Sequence, residues 1–216
     1  MSCRAPALPL DPLIDRWPAG KVIHRIHDTR FEPVHFHPGS DTSGQPCKPS
    51  RFAPIRDRLE HLVPHLYGGA TLDCALFETV FHDVPVDAPS KFVDLDTFAR
   101  HGHSQLIPQR ELRLIDLTSV GLHRLQVPKE ELITSPARDY RATARWAEAL
   151  HHCCPEADGL VWMSRQHDRD LAVLLFGDRV SPDDLIGSRI GGPLSRNLAL
   201  RDSVLAAALK AGIEAN

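Results

Sequence analysis

Glu78 is the residue in this chain whose position most invites a chemical explanation. It stands in HLYGGATLDCALFETVFHDV, His65 to Val84, a stretch that otherwise reads as buried. After the Gly68-Gly69 break, Thr71 is the natural N-cap of a helix, and Asp73 sits where the helix dipole favours negative charge. Leu72, Cys74, Ala75, Leu76, Phe77, Val80 and Phe81 are apolar almost all round the wheel, so their helix is packed on most sides. Glu78 then has Cys74 and Ala75 one turn before it and Phe81 one turn after. A charge in such a place is costly unless it is paired or faces a polar cavity. Three readings stand open: a helix edge reaching water, an internal ion pair, or an acid held for catalysis.

The other reactive side chains form no generic motif. His35-Phe-His37, His101-Gly-His103 and His151-His152-Cys153-Cys154 are suggestive doublets among thirteen histidines, but none has a recognised zinc-ligand spacing. No metal is expected. Cysteines 3, 47, 74, 153 and 154 include no CxxC, and an odd, unpatterned set points to reduced thiols. There is no G-x-G-x-x-G after a strand, no Walker A, no G-x-S-x-G elbow and no H-E-x-x-H. Ile190-Gly-Gly-Pro is too short for a phosphate loop.

The elements that must position Glu78 follow from the rest of the chain. Its 216 residues suffice for one large domain, and 42% hydrophobic with 25% charged residues is ordinary for a soluble globular protein. A net charge of −3 argues against a broad nucleic-acid surface. No apolar run reaches membrane-spanning length and MSCRAPALPLDP lacks a signal-peptide core, so a cytoplasmic protein is expected. Residues 1–20 are expected to form an arm, 21–180 the domain, and 181–216 an extension packed on it. Lys21 to Ile26 reads as a strand carrying Arg25, and the Pro- and Gly-rich 32–50 as a long functional loop. IRDRLEHLV, 55–63, has the spacing of a short amphipathic helix. Arg110 to Leu117, Gly159 to Met163 and Leu171 to Phe176 read as strands, the last two as a hairpin across SRQHDRD. Ser135-Pro136 is expected to open a helix, with serine as N-cap, and Val204 to Ile213 to form the last one. The mixture is α+β.

Taken in order, Arg25 in IHRIHD, Arg51 in SRF, Tyr67 in LYGG, Glu78 in ALFET and Ser164 in VWMSRQ resemble the RES-domain family. Tyr67 precedes Glu78 by eleven residues, the family's interval, and Ala75-Leu-Phe-Glu78 fits its A-L-x-E context. Ser50-Arg51-Phe52 departs from the usual Gly-Arg-Trp, which leaves Arg56 and Arg58 as nearby alternatives to Arg51. The resemblance covers about residues 21–180. It implies an ADP-ribosyltransferase-like fold with mixed or antiparallel sheets and flanking helices. It also implies a toxin that cleaves the nicotinamide–ribose bond of NAD, its substrate, by phosphorolysis or hydrolysis, with inorganic phosphate as a candidate co-substrate. Transfer of ADP-ribose to a protein and non-catalytic nucleotide or partner binding are the alternatives.

Under that resemblance Glu78, Arg51 and Tyr67 are the catalytic set, and Arg25, Arg51, Tyr67 and Ser164 the binding set. A carboxylate beside the ribose stabilises its oxocarbenium-like transition state. Arginine forks suit a pyrophosphate. Tyr67 offers a ring face and a hydroxyl, Ser164 a hydroxyl that orients Glu78 or meets the nicotinamide amide. Each also has a plain structural reading: paired or solvated arginines, a core tyrosine bonding a turn, a serine capping its own loop. An Xre-type helix-turn-helix antitoxin is the implied partner, with symmetric dimers the expected assembly and no direct contact with DNA or membrane.

Overall fold

The computed structural model describes residues 4–7 and 9–216; Cys3 and the start of the expected arm lie outside them. Its strands are β1 (Ile14–Trp17), β2 (Ile23–Asp28), β3 (His65–Gly69), β4 (Phe92–Val93), β5 (His101–Pro108), β6 (Leu112–Asp116), β7 (Gly159–Met163), β8 (Leu171–Phe176), β9 (Leu185–Ile190) and β10 (Glu214–Ala215). Its helices are α1 (Leu72–Phe77), α2 (Ser119–Leu125), α3 (Lys129–Leu132), α4 (Tyr140–Cys153) and α5 (Leu198–Lys210).

GLVWM and LAVLLF are nearly continuous apolar runs because both faces of the sheet's centre are covered. In β8, Ala172, Leu174 and Phe176 face a core built with α2, α3 and α4, where Trp146, Leu150 and Trp162 also lie. Val173 and Leu175 face the other side, with Leu112 and Leu114 of β6 and Leu106 of β5. Strands from opposite ends of the sheet thus share one core, so the sheet is curled. Its order is β1-β6-β7-β8-β3-β2-β5-β9, antiparallel except for β6 against β7. A third core joins α1, α5 and β4. This is the expected α+β class, with a mostly antiparallel curled sheet.

Both sheet edges come from outside residues 21–180. Ile14–Trp17 pairs with β6 and Leu185–Ile190 with β5, so these segments are integral strands. Several local expectations need correction. Residues 55–63 form no helix: Val63 N donates to Ile55 O at 3.0 Å, and Asp57 caps a turn in which Glu60 has φ 66°. Two arms folding together, rather than a helical face, satisfy the hydrophobic period. Ser135 is not the N-cap of α4; a short 3-10 turn at Ala137–Asp139 intervenes, and the Ser135 hydroxyl accepts from Arg51 instead. The last helix begins at Leu198, where Asn197 caps the Leu200 N–H.

Candidate active site

The Glu78 segment folds as a short helix laid directly on β3. Thr71 caps α1, its Oγ1 accepting from Cys74 N at 3.1 Å. Gly69 permits the close approach, since a Cβ there would lie 2.8 Å from Cys74 Sγ and 3.0 Å from the Ala75 nitrogen. The helix is shorter than its sequence suggested. Phe77 is its last residue and Glu78 is the C-cap, because the regular ladder stops there: Thr79, Val80 and Phe81 all donate to Leu76 O. Glu78 therefore stands at a helix end, half-buried, on the wall of a cleft of about 410 Å³.

That cleft collects three of the five candidate residues. Arg25 from β2, Tyr67 from β3 and Glu78 line it together. Ser164 lies behind the wall, fully buried, and its Oγ donates to Glu78 Oε1 at 2.6 Å. The same Ser164 oxygen accepts the His167 N–H at 3.2 Å, so Ser164 caps its own loop and holds the acid at once. Among the described residues Glu78 Oε2 takes no hydrogen bond and the carboxylate has no ion-pair partner. The internal ion-pair reading does not apply.

Arg25 Nη1 donates to Pro33 O at 2.6 Å and His35 O at 2.9 Å, both in the loop over the cleft. Burial pushes its pKa down to about 10, which leaves it cationic at neutral pH. A sheltered guanidinium with only carbonyl partners is a ready receptor for an anion. The Tyr67 hydroxyl is hydrogen-bonded to Ser50 Oγ at 3.0 Å and accepts the Phe52 N–H at 3.3 Å. Burial, opposed by those bonds and by Arg51, pushes its pKa up to about 12, so it is a neutral phenol. Its ring meets Trp162 edge-on at 6.2 Å and His65 at 5.7 Å, giving the cleft an aromatic side.

Arg51 is off the cleft wall, though near enough to Glu78 and Tyr67 to act on both through space. It is 6% exposed and does not line the cleft. Nη1 donates to Ser135 O at 3.2 Å and Ser135 Oγ at 3.1 Å, and the guanidinium lies 5.1 Å from the Tyr140 ring centre. Burial lowers its pKa; Tyr140 and Glu78 partly restore it through space. Arg56 and Arg58 do not replace it in the cleft: their guanidiniums donate to Glu60 O and His152 O.

His37 of the HFHPGS stretch also lines the cleft, as do His27, His65 and Lys48, which the sequence did not single out. The long 32–50 loop was the available signal for His37 and Lys48; nothing in the local sequence marked His27 or His65. Burial pushes both His27 and His65 down to about 4, so they are neutral hydrogen-bonding groups at pH 7. The remaining histidine doublets are used structurally. His24 and His103 stack with a 2.9 Å nitrogen contact, and His151 meets Asp178 at 2.9 Å. Among the described residues no group of three or more His, Cys, Asp or Glu is placed to hold a metal. Of the described cysteines, 47, 74, 153 and 154 are free thiols. No described helix is long and apolar enough to cross a membrane.

A fold of this kind, with an arginine, a tyrosine and a serine-held glutamate converging on one cleft, matches a family of known pattern. The model of the RES domain matches residues 22–190, and the chain belongs to that family. In structure it is similar to a chain of the M. tuberculosis MbcT–MbcA toxin–antitoxin complex, with a TM-score of 0.53 at 13% identity. That match covers 86% of this chain and 89% of the other, so the likeness is one of whole folds. No curated protein matches the sequence.

Proposed function

We propose that this chain is the toxin of a toxin–antitoxin pair and that it cleaves the nicotinamide–ribose bond of NAD. The observation that carries the reading is the Glu78 carboxylate: one oxygen is fixed by Ser164 and the other is uncommitted, beside an anion-ready arginine and an aromatic wall.

As the glycosidic bond lengthens, positive charge grows on the ribose. Glu78 stabilises that charge because Ser164 holds one of its oxygens in place and the other, with no ion-pair partner among the described residues, is left for the sugar. Nicotinamide departs neutral from a cationic ring, so no general acid is required. The fork of Arg25 suits the pyrophosphate; NAD would take over donors now directed to Pro33 O and His35 O. The ring of Tyr67 suits a flat ring. Phosphate or water accepts the ribose. An Xre-type antitoxin whose segment occupies the same cleft would restrain the activity.

The test is incubation of antitoxin-free protein with NAD, with and without inorganic phosphate, followed by NMR. Free nicotinamide with ADP-ribose 1″-phosphate marks phosphorolysis; free nicotinamide with ADP-ribose marks hydrolysis. NAD left intact in both reactions would contradict the proposal.

A further inference from the structure

The two edges of the main sheet differ in character. Edge β1 is four residues long, carries Asp15 and Arg16, and is followed by Pro18, features that discourage further strand pairing. Edge β9 is six residues, Leu-Ile-Gly-Ser-Arg-Ile, exposed from Ile186 onward, with neither proline nor bulge. Its one charged side chain is turned aside: Arg189 Nη2 donates to Phe31 O at 3.0 Å.

The ladder decides which backbone groups of β9 are free. Thr29 N donates to Arg100 O just past the β2–β5 pairing, and Gln109 N donates to Asp184 O just past β5–β9. Hydrogen bonding alternates along a strand, so even residues of β5 serve β2 and odd ones serve β9. On β9, Ile186, Ser188 and Ile190 therefore bond to β5. Gly187 and Arg189 turn their N–H and C=O groups outward, and no described residue takes them. Ile186 and Ile190, 52% and 41% exposed, share one face of the strand. Asn197 Nδ2 donates to Ile190 O at 3.1 Å and so anchors the next residue, Leu198, which is 78% exposed, near that end.

We propose that β9 is a self-association edge, on which a second copy of this chain pairs its own β9 antiparallel about a two-fold axis through Ser188. The sequence is self-complementary in that register. Ile186 lies opposite Ile190 of the partner subunit, and the symmetric pair repeats it. Gly187 faces Arg189 of the partner subunit in the two hydrogen-bonded pairs, so their outward groups are satisfied and no guanidinium faces another. Centring on Arg189 would oppose two guanidiniums, and centring on Gly187 would leave Ile190 unmatched. An extended peptide from another protein could use the same free groups, but only a second copy exploits the symmetry of Ile-Gly-Ser-Arg-Ile. The contact is small, so a reversible, concentration-dependent dimer is expected.

Ser188→Cys tests the register. In a non-hydrogen-bonded antiparallel pair the Cα atoms are about 4.5 Å apart, a spacing that a disulfide can bridge. With oxidised glutathione, the variant should give a reductant-sensitive dimer on gels, whereas wild-type protein with its native cysteines should not. By analytical ultracentrifugation the wild-type mass should rise with concentration from 24.0 kDa toward twice that value. Ile186→Asp combined with Ile190→Asp should hold it at the monomer with an unchanged circular-dichroism spectrum. A wild-type protein that stays monomeric at every soluble concentration would overturn the proposal, including if its edge binds only a foreign peptide. So would a dimer that survives the double substitution, or a Ser188→Cys variant that dimerises without cross-linking.

Discussion

Ser164 Oγ donates to Glu78 Oε1 at 2.6 Å across 86 residues of sequence, and this bond is half of a clamp. At the other end of α1, Thr71 Oγ1 donates to Asp170 Oδ2 at 2.8 Å. Ser164 and Asp170 bound the same β7–β8 loop, joined by the Ser164 N–H to Asp170 O bond at 3.0 Å. Between them the His167 ring stacks on Phe77 at 5.4 Å. Both ends of the short helix are thus pinned to one turn. The place of the carboxylate is set by that turn as much as by α1.

Ser164→Ala removes the clamp at its Glu78 end. A hydrogen bond to a charged group contributes about 1.5–3 kcal/mol, so kcat for NAD cleavage should fall about 10- to 100-fold. KM should change little, because Ser164 does not line the cleft. Steady-state kinetics separate the two parameters.

Arg25→Gln should produce the opposite split. If Arg25 meets the pyrophosphate as proposed, losing its charge should raise KM by about 10- to 100-fold, the equivalent of one or two charge-assisted bonds. Competition by ADP-ribose should weaken in parallel, as isothermal titration would show.

Arg51→Met should act first on the fold. It strips the donor from Ser135 O and Oγ and from Tyr140 OH in a buried setting, at a cost of about 2–4 kcal/mol. Urea unfolding measures it. A fully stable variant without activity would instead move Arg51 to the substrate side.

These contrasts show what the sequence could and could not display. Thr71, the glycines and the β7–β8 hairpin are legible because caps, turns and apolar runs act over a few residues. The residues flanking Arg51 assign it to the site, yet its partners Leu132, Ser135 and Tyr140 lie more than eighty residues away. Ser135 has the local signature of an N-cap, but that arginine claims its hydroxyl. Ile55 and Val63 carry a helical period, but Asp57 and the left-handed Glu60 bend the segment back on itself. Hydrogen bonds made in the folded chain overrule local propensity in each case.

Acid should destabilise the protein through its histidines. Burial is the first cause that pushes His27, His65 and His103 down to about 4 from an ordinary 6.5. The unfolded chain takes up protons below pH 6.5 that the folded chain refuses until near pH 4. Their contribution is thus present above pH 6.5 and is lost as pH falls through that window, by about 1–3 kcal/mol per histidine. Thermal melts from neutral to acid pH should show it, and His65→Gln should flatten the slope.

The most direct measurement is NAD turnover by Glu78→Gln beside wild type, with thermal melting of both. The substitution keeps the shape of the side chain and its contact with Ser164 but removes the negative charge. Nicotinamide release should fall by at least about a thousandfold, as expected when the main electrostatic stabiliser is lost, while the melting temperature stays near that of wild type. Turnover by Glu78→Gln at the wild-type rate would contradict the account.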